Sequence, residues 1–169
     1  MKKAAGFTLT ELMIVMALVG ILIAIAAPGF GALTRSNRVT VAANELTNLL
    51  NYARSEALTR GLNVSVEAPS VNNWSGALKV TTASSTVVGD VETLRAFEGS
   101  GLAPSGISSV GTATRLTFRP NGTLAAPFTI LLCATNDTHT SGKALTISQG
   151  GYTAVSDFTP TSASTRGCS

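Results

Sequence analysis

From Leu12 to Ala27 the chain carries sixteen consecutive residues without a charged or strongly polar side chain, and this run constrains everything else the sequence can do. As a helix it rises about 24 Å. Apolar residues extend it back to Phe7, interrupted by Thr8, Thr10 and Glu11, which brings the segment to the thickness of a bilayer core. Lys2 and Lys3 precede it and no basic cluster follows immediately. That asymmetry predicts a membrane-spanning helix with its N-terminus in the cytoplasm and the remainder outside.

Three ordinary readings each leave something unexplained. A cleaved secretory signal needs a small-x-small site after the apolar run, which Ala24–Ala27 before Pro28 can offer, but such signals do not carry an acid like Glu11 at their start. A plain membrane anchor leaves the same carboxylate without a partner, at a cost of roughly 2.5 kcal/mol or more. A buried core helix needs more surrounding protein than 169 residues supply.

The segment KKAAGFTLTELMIV accounts for these oddities. A short basic leader ends in Gly6, Phe7 follows, and Glu11 is the fifth residue after the glycine. This closely resembles the prepilin signal of type IV pilins and type II secretion pseudopilins. The resemblance implies that a prepilin peptidase removes residues 1–6 by cutting between Gly6 and Phe7, and methylates the new amine of Phe7. It also implies that the apolar helix, 7–30, is kept, with Gly20 and Pro28 at positions where pilins loosen the helix. Pro28 has a plainer account as a kink at the membrane exit.

Electrostatics makes the acid intelligible. In an apolar filament core a carboxylate on Glu11 and the amine of Phe7, from the same or a neighbouring chain, neutralise one another far more cheaply than either is buried alone. Glu11 then acts as a register device for filament assembly. A simpler alternative is that it reaches back to the head groups.

Beyond Pro28 the helix is expected to resume and to run to Arg60, with Gly61 as its stop. Val39, Ala42, Leu46, Leu49, Leu50, Ala53, Ala57 and Leu58 recur at three- and four-residue steps, so one face is buried and the other wet. This amphipathic half, 31–61, is followed at 62–169 by short alternating runs between Gly, Pro, Asn and Ser. Strands are expected at 62–68, 76–83, 92–98, 114–120, 128–134, 143–149 and 151–156. Six or seven strands make a small β-sandwich or curled sheet, with a hairpin turn at Pro120–Gly122 and another at Gly150–Gly151. The fold class is therefore α+β, a long N-terminal helix, transmembrane in its first half and amphipathic in its second, packed on a C-terminal antiparallel β-domain.

NELTNLLNYARSEALTRG, with its ARSEA core, and more loosely the FRPNGT turn with the two strands near the C-terminus, resemble the GspH/FimT family. That family gathers FimU- and FimT-type minor pilins and GspH-type minor pseudopilins. The resemblance implies the lollipop shape of pilins and a subunit of a pilus tip or priming complex, with twitching motility, adhesion and DNA uptake following indirectly. Its partners are other major and minor pilins, through the helix and the β-domain, together with the inner membrane and the prepilin peptidase. It begins as a single-pass inner-membrane protein and ends in the pilus at the cell surface. A pseudopilin of a type II secretion system shares all these features, and a major pilin shares the leader.

Direct nucleic-acid binding has little support. The charge of +3 includes Lys2 and Lys3 of the leader, whose loss leaves ten basic residues against nine acidic. DNA-binding members of the family resemble one another in a GRxR motif, and the matching place here reads Gly150, Gly151, Tyr152, Thr153, leaving only Lys143 and Arg166 as a thin patch.

Only 12% of the residues are charged, about half the usual share, and Gly, Ser, Thr and Asn crowd the second half, the texture of an exported β-domain. In that setting the two cysteines, Cys133 and Cys168, are most simply a disulfide closing a loop with 34 residues inside it, worth roughly 3 to 4 kcal/mol. The one histidine, His139, lies in a polar stretch with Asp137 and Ser141 that reads as a solvated loop, and Trp74 reads as a packing residue. No phosphate loop, metal-ligand set or paired carboxylates stand out, so no catalytic residue, metal or cofactor is expected and the chain reads as a non-enzyme.

Overall fold

Thr8 starts the helix. Its hydroxyl accepts a hydrogen bond from the Glu11 amide at 3.2 Å and its carbonyl accepts one from the Leu12 amide, so it serves as the N-cap with Glu11 three residues on. The computed structural model describes residues 8–83, 91–97, 106–135, 137 and 140–160, without the side chains of 25–29, 83 and 91. From the cap, α1 runs from Leu9 to Arg60 and is unbroken through Gly20 and Pro28. It ends where Gly61, at φ +65°, turns the backbone left-handed and donates its amide to the Ala57 carbonyl.

The chain forms two compact units, Met1–Thr34 and Arg35–Ser169. Among the described residues the second holds eight strands: β1 (Asn63–Glu67), β2 (Lys79–Ala83), β3 (Val91–Ala96), β4 (Ile107–Gly111), β5 (Arg115–Phe118), β6 (Phe128–Ala134), β7 (Gly142–Ile147) and β8 (Thr153–Phe158). They form two four-stranded sheets, ordered β3-β2-β1-β5 and β4-β6-β7-β8, with antiparallel pairing throughout.

Alternation explains which faces are buried. Val64, Val66, Leu116 and Phe118 from the first sheet and Ile130, Leu132, Leu145 and Ile147 from the second share one core with Val39, Ala42, Ala43, Leu46, Leu49, Leu50, Ala53 and Ala57 of α1. The expected helical face is thus the buried one, except that Leu58 lies 51% exposed. It stands about 100° round the helix from the fully buried Ala57 and so off the buried face. Leu78, Trp74 and Leu124, from loops, complete the core.

Three expectations are corrected. Among the described residues there are eight strands rather than six or seven, because β4, the short ISSVG, is held by its ladder to β6 rather than by a strong pattern of its own. The first 76–83 strand starts only at Lys79, and the last runs over 153–158 instead of 151–156, since Gly150 and Gly151 belong to the turn before it. The third concerns Pro120–Gly122. It is a genuine turn: the Arg119 amide donates to the Thr123 carbonyl, the Gly122 amide donates to the Arg119 carbonyl, and the Asn121 side-chain oxygen accepts from Thr123. It closes no hairpin, however, because β5 pairs with β1 and β6 with β4 and β7, so the turn carries the chain from one sheet to the other. The Gly150–Gly151 turn does join paired neighbours, β7 and β8.

Candidate functional site

The first candidate is the surface of α1 in the N-terminal unit. From Leu9 to Ala24 every described side chain is exposed, and nearly all are apolar: Leu9, Met13, Ile14, Met16, Ile21, Leu22 and Ile23 each expose more than half of their surface. Apolar residues occupy all sides of the helix because the run is continuous rather than periodic, so among the described residues from Leu9 to Ala24 no face is covered. An all-round apolar helix of this kind is stable only in lipid or against other apolar helices. Glu11 is the one acid in it, exposed in the first turn, where the helix dipole favours a negative charge. The Thr-x-x-Glu cap is a second reason for an acid at this place that the periodicity argument did not use.

Other expected site residues fall as follows. Gly6 and Phe7 lie outside the described residues. Gly20 is helical, with open space where a Cβ would stand. Pro28 is within α1, and its side chain lies outside the described set. Among the described residues no helix is long and apolar enough to cross a membrane, and the segment expected to do so, 7–30, includes Phe7 and side chains that are not described. Cys133 is buried on β6 and disulfide-bonded. Its expected partner Cys168, like His139 and Arg166, lies outside the described residues.

Asp137 corrects the solvated-loop reading. It is buried, accepts hydrogen bonds from the Thr140 amide at 3.1 Å and hydroxyl at 2.6 Å, and pairs with Arg35 Nε at 2.6 Å. The residue braces a loop against the helix. Trp74 does pack as expected: it is fully buried, its ring meets Phe128 edge-on at 5.1 Å between centroids, and its indole N–H donates to the Ala113 carbonyl.

A second constellation was missed at the level of sequence. Arg54, the arginine of the ARSEA segment, donates Nε to the Gly122 carbonyl at 3.2 Å and Nη2 to the Gly150 carbonyl at 3.1 Å, while its guanidinium stacks 4.4 Å from the Tyr152 ring centre. Ala53 and Ala57 beside it are fully buried. The turns at 119–123 and 148–152 are therefore held to the helix by one side chain. The three segments that carried the family resemblance prove to be one structural joint. At the same end of the helix Arg60 pairs with Glu56 and with Glu92 of β3, and the hydrogen bond it donates to Glu56 raises the Arg60 guanidinium pKa above its ordinary value.

Two cations elsewhere are also paired. Lys143, half of the thin basic patch, pairs with Asp157 at 2.5 Å, and Arg115 pairs with Glu67. Among the described residues no group of His, Cys, Asp and Glu is placed to hold a metal ion.

Known proteins resemble this chain in the same two regions. Residues 1–27 match the prokaryotic N-terminal methylation motif and residues 42–151 match the family described as Type II transport protein GspH. The crystal structure of the type IV minor pilin FimU of Pseudomonas aeruginosa aligns with a TM-score of 0.61 and 28% identity, covering 81% of this chain and 99% of that one. The minor pseudopilin EpsH from the Type 2 Secretion System of Vibrio cholerae shares the fold, with a TM-score of 0.53 and 13% identity over 73% of this chain and 98% of its own. A fimbrial protein of Pseudomonas aeruginosa is 48% identical over 58 residues, 34% of this chain, so the match spans only 38% of that relative's length. With the α+β fold, the methylation motif and a GspH match over well over half of its length, the chain belongs to the GspH family of minor pilins and pseudopilins.

Proposed function

We propose that the protein is a minor type IV pilin, a structural subunit of a pilus tip or priming complex that lowers the barrier to starting the filament. The observation that carries this reading is the uncovered apolar surface of α1 with Glu11 in its first turn. Cleavage between Gly6 and Phe7 frees an amine, which is methylated, and Glu11 neutralises it when the helix enters an apolar environment. The segment 7–30 holds the precursor in the inner membrane and then packs among other pilin helices. The β-domain, braced at Arg54, faces further minor pilins, and the disulfide from Cys133 to Cys168 secures the C-terminal tail. The paired state of Lys143 and Arg115 argues for protein rather than polyanion partners.

The reading as a minor pseudopilin of a type II secretion system draws support from the GspH family match. The 28% identity to a minor pilin, against 13% to a pseudopilin, favours the pilus. Intact-mass analysis and fractionation of native cells test both. A chain starting at a methylated Phe7 and recovered in sheared pili supports the proposal. A chain starting at Met1, or cut after Ala27, overturns it, and co-purification with secretion components alone transfers it to the second reading.

A further inference from the structure

The sheet edges are protected unequally. β4 is covered by the loop before β2, where the Gly111 amide donates to the Val71 carbonyl and the Ser75 hydroxyl to the Ile107 carbonyl. β3 carries Glu92 and Arg95, and β5 is four residues long and begins with Arg115. Cover, charge and shortness are the usual means by which an edge avoids pairing with another chain. β8 has none of them over residues 153–156, which hold no charge, Pro or Gly, and Ala154, Val155 and Ser156 are exposed. The Ser148 amide donates to the Tyr152 carbonyl, so along the unbroken β7–β8 register Ala154, Ser156 and Phe158 are the residues bonded to β7. The backbone groups of Thr153, Val155 and Asp157 therefore point out from the sheet, and among the described residues nothing pairs with them there. On the core side, Ile130 pairs with Leu145 and Leu145 with Val155, an apolar row that is fully buried at its first two members and 45% exposed at Val155.

We infer that β8 is a docking edge for β8 of a second copy of this chain, antiparallel about a two-fold axis at Val155, so that the two β4-β6-β7-β8 sheets become one continuous sheet. The strand's own sequence selects that occupant, because centred on Val155 it is complementary to itself. Val155 exchanges both backbone bonds with its counterpart and carries the apolar row on to the second Leu145. Thr153 does the same with Asp157, and the small Ala154 and Ser156 lie opposite one another. Thr153 Oγ1 is the one buried side-chain polar atom without a hydrogen-bond partner among the described residues, and this register sets a carboxylate across from it. Asp157 keeps its own Lys143, which reaches Oδ1 and leaves Oδ2 to accept. Charge fixes the register as well. The two Asp157 stand four residues apart along the paired strands, about 13 Å. Sliding one strand by two residues sets Val155 against Asp157, and by four sets the carboxylates face to face; the opposite slide carries Asp157 past the end of the other strand at Thr153. One short strand a side makes an interface below the standard size, so the pairing is weak and depends on concentration.

The pairing needs neither a filament nor a membrane, so it stands or falls apart from the assembly reading above. The full-length chain, purified in detergent at high concentration, is mildly oxidised and run on non-reducing gels, with the linked sites mapped by mass spectrometry. Val155→Cys is expected to give a covalent dimer through residue 155, since directly opposed bonded residues lie about 5.5 Å apart at Cα, within disulfide reach. Thr153→Cys and Asp157→Cys should each give at least ten-fold less dimer alone and recover it when the two proteins are mixed. Adding Val155→Lys to both mixed proteins should lower that yield at least ten-fold, because like charges then face one another at the axis. The fluorescence of the buried Trp74 shows that each variant is folded, and if Val155→Cys disturbs it the mixed pair decides. Folded variants that give no dimer through these positions overturn the inference. Equal yields from the three single substitutions do so too, since they report random collision in the micelle, and so does a mixed yield indifferent to Val155→Lys.

Discussion

The Nε of Arg54 lies 3.2 Å from the carbonyl oxygen of Gly122, sixty-eight residues further along the chain, and this contact joins the helix to the crossover between the two sheets. With the second bond to Gly150 and the stack on Tyr152, three interactions depend on one partly exposed side chain. Replacing Arg54 with Ala is expected to destabilise the folded domain by about 2 kcal/mol, since it removes two charged hydrogen bonds and leaves two turn carbonyls to water. Lysine should recover less than half of that loss, because a point charge cannot serve both carbonyls and the ring at once. Urea unfolding of the three proteins measures the difference.

Gly150 and Gly151 are neighbours with different requirements. Gly151 has φ +78°, and a Cβ there runs into the Gly122 carbonyl oxygen and the Arg54 guanidinium, whereas a Cβ on Gly150 meets only the edge of Tyr152 at 3.3 Å. Gly151→Ala should cost about 2 kcal/mol or more and Gly150→Ala less than about 1 kcal/mol. Equal midpoints in thermal unfolding would contradict the close approach.

Trp74 is the single tryptophan and is fully buried, so its fluorescence reports unfolding directly. Trp74→Phe removes the donor to Ala113 and part of the packing volume, for an expected loss of about 2 kcal/mol, and Trp74→Ala of about 4 kcal/mol. Gly111→Ala should resemble the larger effect, because its Cβ would collide with the indole ring. Denaturant titration followed by circular dichroism checks this series.

Asp137 serves Thr140 as well as Arg35, so its removal and that of Arg35 should differ. Arg35 is about half exposed and its loss is expected to cost about 1 kcal/mol, reduced further by salt. Asp137→Ala also abandons the Thr140 amide and hydroxyl and should cost about 2 kcal/mol or more. A double-mutant cycle at low and high ionic strength measures the coupling.

Glu11 and Thr8 can be separated in living cells. Thr8→Ala removes only the cap, worth about 1 kcal/mol of helix stability, and should leave incorporation into filaments within about two-fold. Glu11→Ala is expected to leave the amount of protein unchanged and to lower its recovery in the sheared filament fraction at least ten-fold, as burial of an unpaired amine requires. Equal effects of the two substitutions would reduce Glu11 to a helix-capping residue.

Local pattern carried what depends on local pattern. The continuous apolar run with Glu11 was legible because hydrophobicity over a long window needs no knowledge of partners, and the buried face of the second half of α1 was legible because a 3.6-residue period turns spacing into direction. Strands β1 and β6 were read within a residue at each end for the same reason, their apolar positions being dense or alternating. The tertiary structure decided which sheet each strand joins. Pro120–Gly122 has the residues of a hairpin turn, yet backbone pairing is chosen between strands far apart, and β5 finds β1 rather than β6. The same holds for β4, whose five residues are a strand only because β6 lies beside them. Arg54 and Asp137 show the limit most plainly: an arginine on an amphipathic helix and an aspartate in a polar loop look solvated until folding brings carbonyls, a ring and a guanidinium to them from scores of residues away. Periodicity records which side of an element leaves water, and only the closed fold determines what it meets there.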